Sequence, residues 1–82
     1  MTQQEILEAI YPVIRLHTAE GDKLEVKQDE FGITITDKDG PFSGKFIRDF
    51  AAVCDEKYIG FAIGAQFSTE YHYTRPYIII AL

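Results

Sequence analysis

Residues Tyr77 to Leu82 read Tyr-Ile-Ile-Ile-Ala-Leu, apolar on both faces of any strand they form. An uncovered strand of that kind invites edge-to-edge aggregation. The run is also far short of the roughly 20 residues that span a bilayer, so no membrane crossing is expected and the cover has to be protein. Upstream, from Ile59, the hydrophobic period is two: Ile59, Phe61, Ile63, Ala65 and Phe67 point one way, and Gly60, Ala62, Gly64 and Gln66 the other. A four-residue loop from Ser68 to Tyr71 then aligns Phe61 with Ile78 and Ile59 with Ile80 on a core face. On the opposite face it sets Tyr73 against Gln66, Arg75 against Gly64 and Tyr77 against Ala62, large amphipathic side chains over small ones. Pro76 cannot donate a ladder hydrogen bond, so its part of the strand belongs at an edge or bulge. Ile79 and Ala81 share the face of Tyr77, where either the first helix or a second subunit has to shield them.

The rest of the chain supplies the layer that covers the core face. Thr2 followed by Glu5 has capping-box spacing, and Ile6, Leu7 and Ile10 form a helical stripe. Pro12 disfavours a helical Tyr11 and clashes with the carbonyl four residues back, which predicts a helix from Gln3 to about Tyr11. Residues 12–19 then admit two readings. In one, Thr18 to Gly21 is the turn of a hairpin that pairs Leu16 with Leu24, Ile14 with Val26 and Arg15 with Glu25. In the other, Val13, Ile14 and His17 continue the helical stripe through a proline kink to a Gly21 cap. The hairpin is the preferred reading. Lys23 to Gln28 and Phe31 to Thr36 follow as alternating strands with Leu24, Val26, Phe31, Ile33 and Ile35 inward. After a turn at Asp37 to Pro41, Ser43 caps a second helix carrying Phe46, Ile47, Phe50, Ala51 and Cys54, which ends before Gly60.

The expected architecture is α+β: an antiparallel sheet of four to five strands with two helices, in the order α-β-β-β-α-β-β. Its 82 residues make a single domain, residues 1–82, the economical reading. That order resembles the core of the class I type III secretion chaperones, small acidic proteins that bind extended effector segments, usually as dimers. The resemblance is one of topology alone, without that family's closing helix, and it implies protein binding and dimerisation.

Charge narrows the choice of partner. The net charge is −5, and residues 20–39 hold seven acids against three lysines, a local −4. No stretch clusters Lys and Arg as a phosphate-tracking surface requires, so direct nucleic-acid binding is not expected. The start lacks a basic n-region and an apolar h-region, and Cys54 is the only cysteine. Both features lead us to expect a cytoplasmic protein.

Four patterns could carry chemistry. Gly40 to Lys45 has the look of a phosphate loop but is one residue short, with Phe46 where Ser or Thr would hold magnesium. Asp37-Lys38-Asp39-Gly40 lacks the spacing of a calcium loop. Both read as plain turns. Cys54 with His72 or His17 is the only thiol-imidazole pair available, and Cys54 sits on an apolar stripe where a thiol behaves as a small hydrophobe. No catalytic residue, metal site or cofactor is assigned. The fourth pattern is Tyr71, Tyr73, Arg75 and Tyr77, continued by Ile79, because Tyr and Arg dominate binding hot spots. The expectation is therefore a non-enzymatic, adaptor- or chaperone-like domain that binds a protein partner, or itself as a homodimer, through the last hairpin. Two alternatives stand beside it: an acidic inhibitor or phosphate mimic acting on a basic protein through residues 20–39, Glu25 and Asp29 among them, and a small-molecule-binding or enzymatic domain with a pocket between the second helix and the sheet.

Overall fold

The computed structural model of the chain describes residues 1–68 and 73–81, with the backbone alone at residues 68, 73 and 74. Two helices, α1 (Gln3–Ala19) and α2 (Gly44–Glu56), lie on a four-stranded antiparallel sheet of β1 (Leu24–Asp29), β2 (Gly32–Asp37), β3 (Ala62–Ser68) and β4 (Tyr73–Ala81). The chain order is α-β-β-α-β-β and the sheet order β1-β2-β4-β3. The fold is α+β, and two strands rather than three separate the helices. With the third strand goes the order on which the likeness to the secretion chaperones rested.

Residues 12–19 are helix, so the preferred hairpin and its Leu16–Leu24 pairing are corrected in favour of the longer helix. Thr2 and Glu5 close the capping box at its start, with Thr2 N donating to Glu5 Oε1 at 3.0 Å and Glu5 N to Thr2 Oγ1 at 3.2 Å. The bond from Thr2 N, with the Thr2 hydroxyl as the lesser contributor, also holds the Glu5 carboxyl below its ordinary range. Pro12 stands inside the helix, where the missing N–H and the ring cost about 3 kcal/mol. Past it, Val13, Ile14 and His17 are all buried, and burying an aliphatic side chain of this size contributes about 1.5–3 kcal/mol. Val13 and Ile14 together offset the proline. The helix stops in a Schellman motif, with Gly21 at φ +115°, Asp22 N bonded to the His17 carbonyl and Gly21 N to that of Thr18.

One core joins both helices to one face of the sheet: Ile6, Leu7, Ile10, Val13 and Ile14 of α1, Phe46, Phe50 and Cys54 of α2, and Ile33, Ile35, Ile78 and Ile80 of β2 and β4. The Phe46 and Phe50 rings stack at 5.6 Å and Phe61 meets Phe50 edge-on at 5.2 Å, filling the space between α2 and the sheet. Ser43 caps α2, accepting from Phe46 N at 3.1 Å. Because both helices lie on this face, α1 is not the cover expected for Ile79. The least dimension of the molecule, 16 Å, is that of one helix layer on one sheet.

Phe31, expected inward, is 75 % exposed. Asp29 Oδ1 accepts from Phe31 N at 2.8 Å and Gly32 N at 3.1 Å, an Asx turn that takes Phe31 out of the ladder and starts β2 at Gly32. The last hairpin pairs Ile63 with Ile78, Gly64 with Tyr77, Gln66 with Arg75 and Ser68 with Tyr73. This is two residues from the expected register, so each side chain keeps its face while its partner changes. Pro76 opposes Ala65 on β3, whereas β2 pairs with β4 only over Ile78–Ala81. Its other flank is therefore outside the β2 ladder, in keeping with the edge expected for it.

Candidate functional site

The two-residue shift decides what the β3–β4 ribbon presents. The β2 ladder ends at Ile78, opposite Ile63, and the helix layer stops short of the edge strand, so the inward side of β3 is only partly covered. Ile63 is 53 % and Phe67 58 % exposed, although both alternate onto the core face. The sequence reading placed them in the core because alternation reports the face, not how far the opposing layer extends. β3 is also an edge of the sheet, and no residue from Ala62 to Ser68 carries a charge. The other edge, β1, carries Glu25, Lys27 and Asp29.

The residues expected to form the site are distributed unevenly. Tyr71 lies outside the described residues, and Tyr73 is placed by its backbone opposite Ser68. Arg75 is half-buried, and its Nη2 donates to the Asp37 carbonyl at 2.9 Å, fastening the ribbon to the end of β2. Its role in the fold is thus structural. Tyr77 is half-buried with its ring over Gly64, where an added Cβ would collide with it. The expectation of a large side chain over a small one holds, with Gly64 in place of Ala62. Ile79 is 39 % exposed on the uncovered face. Beside Tyr77 that face has a shallow hollow of about 370 Å³ lined by Lys27, Thr34, Thr36, Ala65, Gln66 and Tyr77.

A second cluster joins the end of α1 to α2. His17 is 1 % exposed; its Nε2 lies 2.8 Å from Asp49 Oδ2, while Nδ1 faces Asp22 Oδ2 at 3.5 Å and Glu20 Oε2 at 3.9 Å. A carboxylate only accepts, so Nε2 carries a proton and donates it to Asp49. The ring meets Phe46 edge-on at 5.3 Å. These carboxylates flank opposite ring nitrogens and do not converge on one point, and among the described residues no group of three His, Cys, Asp or Glu is placed to hold a metal ion. The sequence supplied half of this network, since His17 falls on the continued helical stripe; its carboxylate partners come from the next loop and from α2. An imidazole so enclosed is a packing element.

The remaining candidate residues are engaged within the fold, apart from His72, which lies outside the described residues. Cys54 is buried and burial pushes its thiol up to about 11, which removes the thiolate a nucleophile needs. Asp37 is 4 % exposed and its carboxylate accepts from Asp39 N at 2.8 Å, an Asx turn. Lys45 reaches Glu20 Oε2 at 3.4 Å. In the acidic segment Glu25 is engaged by Lys27 at 3.7 Å and Lys38 at 3.6 Å. Among the described residues no helix is long and apolar enough to cross a membrane. A scan against family models matches none, and a search of curated proteins finds no match to this sequence.

Proposed function

We propose that this chain is a small, non-catalytic protein-interaction domain, adaptor- or chaperone-like, that docks a protein through its β3–β4 ribbon. The observation that carries the reading is the uncharged edge strand β3 with Ile63 and Phe67 more than half exposed, beside a sheet face on which Ile79 is also open. Natural edge strands are normally blunted by charge, proline or cover; a strand that lacks charge and shows two large apolar side chains suits a partner. Tyr77 adds an amphipathic ring to the same ribbon. A cytoplasmic setting accords with a lone cysteine kept as a thiol in the core.

Affinity capture from the native host, followed by mass spectrometry, tests the reading with a variant carrying alanine at Ile63, Phe67 and Tyr77. The expected result is loss of the captured proteins with an unchanged far-UV circular dichroism spectrum. A folded variant that retains every captured protein refutes it. Arg75→Ala belongs in a separate sample, because removing its bond to the Asp37 carbonyl alters the seating of the ribbon itself.

A further inference from the structure

We infer that the occupant of the β3 edge is a second copy of this chain, its β3 running antiparallel to the first about a twofold axis at Ala65; this rests on the reading of the ribbon as a docking surface. Residues 62–68 are centred on Ala65. Pairing the strand with itself there sets Ala65 against Ala65, Gly64 against Gln66, and Ile63 of each copy against Phe67 of the other. Even-numbered residues meet even and odd meet odd, so the faces match across the junction. The two large apolar side chains of β3 thereby cover each other twice, on the side of the sheet that α2 occupies. The pairing also satisfies about six to eight backbone groups on each of the two free edges, joining two four-stranded sheets into one.

Charge selects this occupant. The chain carries −5 overall, so two copies repel unless they meet where charge is sparse. From Tyr58 to Leu82 the only charged residues are Glu70 and Arg75. A basic partner is drawn instead to residues 20–39, with their local −4. At the β1 edge, self-pairing brings the acidic segments of two copies together, whereas at β3 it opposes no like charges.

Sedimentation over a concentration series tests the inference on the wild type and on two double variants, Ile63→Lys with Phe67→Lys and Ile63→Glu with Phe67→Glu. The wild type is expected to dimerise. Each variant alone, with like charges opposed at both ends, is expected to self-associate at least about tenfold more weakly, and a mixture to form a 1:1 heterodimer. Ala65→Cys in a Cys54→Ala background gives an independent readout. Residues opposed across an antiparallel pair have Cα atoms about 4.5–5.5 Å apart, within disulfide reach, so oxidation should link the copies at the axis. If the charged variants do not fold, this cross-link decides, and its absence overturns the inference. A wild type that stays monomeric at every concentration also overturns it, leaving the docking surface to stand or fall by the capture experiment. Wild-type-like self-association of both charged variants would place the dimer contact elsewhere and overturn it too.

Discussion

Removing the Asp49 carboxylate should destabilise the protein only while the His17 imidazole is present. His17 is 1 % exposed and donates from Nε2 to Asp49 Oδ2 at 2.8 Å, while the Asp49 side chain is 39 % exposed. The two partners therefore stand differently toward water. Asp49→Ala leaves a buried N–H without its acceptor, a loss of about 1–3 kcal/mol, the lower half applying if water enters the space left. His17→Leu removes the donor and keeps an apolar side chain against Phe46; the Asp49 carboxylate it releases is hydrated at the surface, so this change costs about 1 kcal/mol or less. In the His17→Leu background, Asp49→Ala should cost close to nothing, because alanine also favours the helix. The cycle thus predicts a coupling of about 1–2 kcal/mol, a substantial share of the roughly 4–12 kcal/mol to be expected of a chain this size. The chain has no tryptophan, so urea unfolding followed by far-UV circular dichroism at fixed neutral pH is the suitable assay. If Asp49→Ala cost the same in both backgrounds to within about 0.3 kcal/mol, the hydrogen bond would not be what the network contributes, and the reasoning would fail.

Three further outcomes are expected from the same measurement or a simple extension of it. Tyr58 follows the end of α2 at φ +57° and is 95 % exposed, so Tyr58→Gly should raise stability by about 0.5–1 kcal/mol, the relief of a left-handed residue less the extra entropy of the unfolded chain; a loss of stability would show that the tyrosine ring packs. Pro12→Ala should restore the helical bond to the Glu8 carbonyl and stabilise by about 2–2.5 kcal/mol once the greater freedom of the unfolded chain is subtracted, and an unchanged urea midpoint would contradict the cost assigned to the proline. The Cys54 thiol, pushed by burial from its ordinary 9.0 up to about 11, should be inert to thiol reagents in the native state and reactive in urea. Because its folded value lies above its unfolded one, its contribution is complete below 9.0 and declines as the pH rises toward 11; a Cys54→Ala variant should show a correspondingly shallower loss across that window.

The elements were legible in the chain itself wherever a local pattern sufficed. Thr2 with Glu5, Ser43, the stripe through Phe46, Phe50 and Cys54, and the alternation from Ile59 onward each report interactions within a few residues of sequence, and each forms as read except that the strand itself begins at Ala62. Elsewhere the outcome depended on contacts between distant residues. Pro12 argues locally for a helix end, and only the core reached by Val13, Ile14 and His17 overrides it. A hairpin register shifted by two preserves the face of every residue, so alternation could not separate the pairing of Ile63 with Ile78 from that of Phe61 with Ile78. The same blindness hid the candidate surface: periodicity assigns Ile63 and Phe67 to the core side, yet their exposure is set by where the helix layer stops. Outside residues 12–19 and Phe31, the sequence determined which segments form strands and helices and which face their side chains take, because those follow from backbone geometry. How far one layer covers another, and hence which apolar residues are left for a partner, was decided by the tertiary packing.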